Sequence, residues 1–139
     1  MLTNSNFERT QFLLERGMDA SNLRWSVISN NIANADVPGF KRSDVTFESQ
    51  LQRAIESEND NRPFAATLTN KRHIPFHQPI DVQTVQPRVQ LDYATNMRND
   101  GNGVDVEYEN VQAAKTQMQY QFMASMMNRN YRKISMLFR

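Results

Sequence analysis

Two long stretches of this chain repeat their apolar residues at helical spacing, and they stand at its opposite ends. Between residues 3 and 35, Phe7, Leu14, Met18, Trp25, Ile28, Ile32 and Ala35 recur at steps of three, four and seven. Those steps put the side chains on one stripe of an α-helix, with Glu8, Arg9, Glu15, Arg16 and Arg24 mostly off it. The segment has one glycine and no proline to interrupt it. At about 1.5 Å per residue it would run roughly 45–50 Å, longer than a small globule can cover with its own mass. Such a helix needs a long partner.

Residues 105 to 138 supply one. They contain neither Gly nor Pro and carry a second stripe of Ala113, Tyr120, Ala124, Met127, Tyr131, Ile134 and Phe138. Asp105, Glu107 and Glu109 put negative charge in the first turn, and Arg129, Arg132, Lys133 and Arg139 put positive charge at the end, both complementing the helix dipole. Val111, Met118, Phe122 and Met126 widen the apolar surface beyond one stripe. This helix is therefore expected to touch more than the amino-terminal one.

The middle obeys different rules. A short helix is expected around Val45 to Ile55, after which residues 58 to 103 hold four of the five prolines, Asn-Asp clusters and scattered single apolar residues. Arg88-Val-Gln-Leu91 can form a short extended piece. The rest lacks a strong period and is expected to be a loop, since ordering it costs about 1–2 kcal/mol per backbone residue. The predicted fold is mainly α: residues 1–35 and 104–139 pack as an antiparallel coiled-coil hairpin forming one structural domain. Residues 36–103 hold a turn, a short helix and a largely irregular or extended loop.

Where the first helix must stop, the chain reads Ser29-Asn-Asn-Ile-Ala-Asn-Ala-Asp-Val-Pro-Gly-Phe-Lys-Arg42. Asn34 suits a left-handed helix end, and Pro38 cannot continue a helix. Val37 is pushed to extended backbone by the proline after it, and Gly39 suits a type II turn. The string reads as a chain-reversing joint. Asn30, Asn31 and Asn34 either satisfy helix-end backbone groups or also hydrogen-bond neighbouring subunits; the sequence leaves both readings open.

Composition narrows the function classes. The length of 139 residues fits one modest domain, and a net charge of +1 gives no global field toward nucleic acid or an anionic membrane. Without cysteine there is no disulfide or thiolate metal site. Glu8 and Arg9 interrupt the apolar run of roughly 7–15 residues a cleaved signal peptide needs, and no stretch nears the roughly 20 apolar residues that span a bilayer. A soluble chain, or one built into something larger, is expected.

The candidate chemistry is thin. His73 and His77 have i, i+4 spacing, yet Pro75 lies between them with no cysteine or HExxH glutamate near. Asp100-Gly-Asn-Gly-Val-Asp105 starts like a calcium loop but has Asp105 where glycine and Val111 where glutamate are needed; a turn leading into a capped helix is the expectation. Gly101-x-Gly103 lacks the strand and third glycine of a dinucleotide site. The basic end of the second helix is explained by its dipole. No nucleophile, base or cofactor site emerges, and no enzyme is expected.

The Ser29–Arg42 string closely resembles the amino-terminal signature of the bacterial flagellar axial proteins, the rod and hook family, in which an A/S-N-N-[IL]-A-N-[AV]-x-T-P-G-[FY]-K/R pattern ends the first helix. Asn30, Asn31, Asn34, Pro38, Gly39 and Phe40 carry it, with Val37 where threonine is common. The continuation Asp44-x-x-Phe47-x-x-x-Leu51 and the Asp100–Glu109 segment resemble the short proximal-rod branch, and the likeness covers residues 1–55 and 98–139. It implies a structural subunit of the flagellar basal body, exported by the flagellar type III apparatus and assembled in the periplasmic rod through its end helices. The implied interface residues are Phe7, Leu14, Met18, Trp25, Ile28, Ile32, Tyr120, Met127, Tyr131 and Ile134. Implied partners are FlgC, FlgF and copies of itself, the adaptor FliE, and the membrane-ring and export-gate region, with no nucleic acid and no direct membrane insertion. The alternatives are another short axial protein such as FlgC, or a cytoplasmic helical-hairpin interaction protein.

Overall fold

Helix α1 (Asn6–Ala33) and helix α3 (Val106–Leu137) frame the chain in a computed structural model that describes residues 6–59, 69–70, 72–73, 80–93, 97 and 99–137. Between them come strand β1 (Ser43–Thr46), helix α2 (Glu48–Asn59), a 3₁₀ turn (Val82–Thr84) and strand β2 (Arg88–Leu91). The end helices are 28 and 32 residues long, so they reach about 42 and 48 Å. Both fall inside the predicted spans 1–35 and 104–139.

α1 and α3 run antiparallel. Gly17 of α1 faces Met123 of α3, and fourteen residues further along α1, Asn31 meets Glu109, fourteen residues back along α3. At Gly17 an added Cβ would sit 2.7 Å from the Met123 sulfur, so the glycine hydrogen lets the helices approach closely. Ala20 and Ser21, the next residues on the buried face of α1, are also small. The hydroxyl of Ser21 is satisfied by the Gly17 carbonyl at 2.9 Å.

The described residues through Val45 and from Pro87 onward form one compact unit, and those between Thr46 and Gln86 form a second. In the first, β1 and β2 make a two-stranded sheet. The Asp92 N–H just past β2 donates to the Arg42 carbonyl just before β1 at 2.8 Å, which makes the pair antiparallel. β2 lies at the predicted Arg88–Leu91.

In the second unit, the Leu51 N–H donates to the Phe47 carbonyl as the chain turns into α2. Among the described residues, Phe47, Ala54, Val82 and Val85 are its buried apolar residues. The Ser57 hydroxyl donates to the Ala54 carbonyl at 2.7 Å and accepts from the Ile80 N–H at 2.9 Å. Asp81 caps the 3₁₀ turn by accepting from the Gln83 N–H. The middle region is partly irregular, as its sequence suggested.

Two local expectations are corrected. Val45 belongs to a strand, and the short helix starts only at Glu48. The cause is long-range: the Asn31 side chain pairs with both the N–H and the carbonyl of Ser43, holding the chain extended there. Asn34 does not end α1 in a left-handed conformation, since no described non-glycine residue has positive φ. Its N–H instead bonds back to the Asn30 and Asn31 carbonyls, and its side-chain amide bonds Asn30 twice. The helix end is satisfied without the αL strain that a Cβ would incur.

Candidate functional site

The joint after α1 turns as the sequence predicts. The Phe40 N–H donates to the Val37 carbonyl and Gly39 has φ +72°, which makes Val37-Pro38-Gly39-Phe40 a type II turn with glycine where positive φ is required. What holds the turn in place comes from the far end of the chain. The Gly39 N–H donates to the Asp100 carbonyl, and the Gly103 N–H donates to the Phe40 carbonyl at 3.0 Å. Gly101, also at positive φ, lies with its Cβ position 3.9 Å from the Gly39 Cα.

Asn102 is the pin. It is fully buried, and its side-chain amide nitrogen reaches the Asn34, Ala35 and Val37 carbonyls at 3.2, 2.9 and 2.8 Å. These carbonyls lie in the turns that follow the helix, where those of Asn34 and Val37 also accept from the Val37 and Phe40 N–H groups. The amide oxygen meanwhile accepts from the Val104 N–H at 2.7 Å, shaping the approach to α3. Asp105 then caps α3, accepting from the Glu107 and Tyr108 N–H groups. The calcium-like segment is thus a turn and a cap, as expected, and among the described residues no group of three or more His, Asp or Glu side chains converges as a metal would require.

Beside the pin lies a buried ion pair. Glu109 has no solvent exposure; its carboxylate accepts from the Arg42 Nε at 2.5 Å and from the Asn31 amide at 3.3 Å. Arg42 also stacks on the Tyr108 ring at 5.1 Å and reaches Asp44 at 3.5 Å. Burial works against the Arg42 charge, but the Glu109 hydrogen bond and charge, with smaller contributions from Asp44 and Tyr108, hold its pKa above the ordinary value. Sequence reasoning counted Glu109 as a dipole charge and Arg42 as motif only. Nothing local marks them as partners, because they stand 67 positions apart.

The predicted motif residues divide between these roles. Asn31 is buried and binds β1 and Glu109, Asn34 and Asn30 bond each other, and Pro38, Gly39 and Phe40 build the turn. Of the predicted interface residues, Ile28 is buried inside the chain. Leu14, Met18, Ile32, Tyr120, Met127 and Ile134 are half-buried, whereas Phe7, Trp25 and Tyr131 are exposed at 38, 47 and 52 %. Val111, Met118 and Phe122 are each more than 60 % exposed on α3. A shallow groove of about 260 Å³ between the helices is lined by Ser21, Asn22, Trp25, Thr116, Gln117 and Tyr120. His73 is exposed, and His77 lies outside the described residues. Among the described residues no helix is long and apolar enough to cross a membrane.

A long helical hairpin, an Asn-rich joint closed by a Pro-Gly turn, and apolar faces left open along both helices define a class, the flagellar basal body rod proteins. The family model for the flagella basal body rod protein matches residues 14–41, which run from α1 through the turn. The chain is 34 % identical over 133 residues to the flagellar basal body rod protein FlgB of Borreliella burgdorferi, covering 96 % of this chain and 98 % of that one. It is 34 % identical to FlgB of Escherichia coli, covering 73 and 72 %, and 28 % identical to FlgB of Bacillus subtilis, covering 94 and 93 %. The chain belongs to the FlgB family of flagellar basal body rod proteins.

Proposed function

We propose that this chain is a structural subunit of the proximal part of the flagellar rod, transmitting torque through repeated helix packing and carrying out no chemistry. The observation that carries the reading is the placement of large apolar side chains on the outside of a finished hairpin. Trp25, Val111, Met118, Phe122 and Tyr131 stay exposed although both long helices already have each other as partners. Each fully buried residue of that size removes about 1.5–3 kcal/mol of unfavourable hydration, so a lattice of subunits that covers them gains its cohesion there.

In this reading Phe7, Leu14, Met18, Trp25, Ile32, Tyr120, Met127, Tyr131 and Ile134 complete their burial against neighbouring subunits, while Ile28 serves the hairpin itself. The neighbours are copies of this chain and the rod proteins FlgC and FlgF, with the adaptor FliE and the membrane-ring and export-gate region at the base. The subunit travels through the flagellar type III export apparatus and works in the periplasmic rod. Electron cryo-tomography of cells deleted for this chain tests the reading. Motors should keep the membrane ring and lack rod, hook and filament, with restoration when the chain is supplied in trans; complete motors in swimming cells would refute it.

A further inference from the structure

The α1–α3 interface is poor in features that could fix its own alignment. Among the described residues of the two helices, only Ala20, Ser21, Ile28, Asn31, Glu109 and Thr116 are fully buried, and only Ala20 and Ile28 of these are apolar. One close approach is a glycine against a methionine, Gly17 and Met123. Methionine is unbranched and adapts to many neighbours, and small residues present no ridges that choose one groove over the next. Apolar packing of this kind would tolerate a shift of one helical turn, about 5.4 Å, with little penalty.

The polar groups would not tolerate it. The Glu109 carboxylate takes hydrogen bonds from Asn31 on α1 and from Arg42 in the joint. Asn31 is at the same time committed to both backbone groups of Ser43. Sliding α3 by a turn would carry the carboxylate away from both donors and leave a buried charge unpaired. We propose that the Glu109–Arg42 pair, with Asn31, is a register lock: its role is to align α3 against α1. The groove lined by Trp25 of α1 and Tyr120 of α3 is composite, so its shape exists in one register only. The use of that surface in assembly rests on the rod reading; the lock is a property of the free chain.

The native chain has no cysteine, so engineered pairs report alignment without background. Gly17→Cys with Met123→Cys reports the native register, and Gly17→Cys with Tyr120→Cys or Met127→Cys reports slips in the two directions. With the lock intact, the native pair should oxidise at least about tenfold faster than either slipped pair in the purified chain, as a buried pair that breaks on slipping requires. In the Arg42→Met/Glu109→Leu background, which removes both charges, the helical circular dichroism should persist while the three rates converge to within about twofold. Arg42→Lys, which keeps a charge, should retain most of the native preference. An undiminished preference in the apolar double variant would overturn the proposal, because packing alone would then set the register. Loss of its helix signal would overturn it too, making the pair a requirement for folding and not for alignment. Failure of the rod reading would show in motors and motility and would leave these oxidation rates unchanged, so the two ideas fail separately.

Discussion

The Asn102 side chain donates to the Val37 carbonyl at 2.8 Å, tying the residues before α3 to the residue before the Pro38-Gly39 turn. The joint after the first helix is therefore completed by the approach to the last. Asn102→Ala would remove the buried hydrogen bonds to the Ala35 carbonyl and from the Val104 N–H, and a part-buried one to the Val37 carbonyl, which keeps the Phe40 N–H. A loss of about 2–4 kcal/mol is expected, from about 1–3 kcal/mol for each of the two buried bonds with partial rescue by water. Urea unfolding followed by circular dichroism measures it. Asn102→Asp should fare little better, since a carboxylate cannot donate to carbonyls.

Gly39 separates conformational strain from packing. Its φ of +72° disfavours a Cβ, yet nothing lies within 4 Å of where that Cβ would be. Gly39→Ala should cost about 1–2 kcal/mol through the backbone alone, and Gly39→Asn less, because asparagine tolerates that region. Thermal unfolding of the two variants against the native chain gives the difference.

Gly17 has the opposite character, with ordinary helical backbone and crowded surroundings. Alanine gains about 1 kcal/mol of helix propensity over glycine and can be accommodated if the flexible Met123 side chain swings aside, so Gly17→Ala should lie near neutral. Gly17→Leu drives the helices apart and should destabilise by about 1–3 kcal/mol. A melting series across Ala, Val and Leu should fall steadily.

Trp25 distinguishes stability from assembly. Truncating a fully buried tryptophan costs about 3–5 kcal/mol. In the free chain Trp25 is 47 % exposed, so Trp25→Ala should cost the isolated chain only about 1 kcal/mol. If a neighbouring subunit covers the remaining face of the ring, as proposed, swimming in soft agar should fall far more than that small loss explains. Unchanged motility would remove Trp25 from the interface.

What the sequence made legible was local. Apolar residues at steps of three and four gave both long helices, Pro38-Gly39 gave the turn type, Asp105 gave the cap of α3, and Arg88–Leu91 gave a strand. What it hid was pairing across distance. Glu109 looked like any first-turn acid, and its burial depends on Asn31 and Arg42, which stand 78 and 67 positions earlier. Val45 had helix-compatible neighbours and became a strand because Asn31 holds Ser43. Asn34 had the composition of a left-handed cap, but its amide found Asn30 and made that conformation unnecessary. Gly17 gave no signal, since only the closeness of α3 explains it.

The central claim, that the exposed face of α3 is covered by neighbouring subunits in the rod, is tested most directly by photocrosslinking from that face in assembled basal bodies. A benzophenone amino acid replaces Phe122, which is 61 % exposed in the free chain, in cells that still swim. Irradiated, purified basal bodies should yield adducts of this chain with a second copy or another rod subunit, absent when export is blocked. Motile cells whose basal bodies contain the chain but give no adduct from that position would contradict the account.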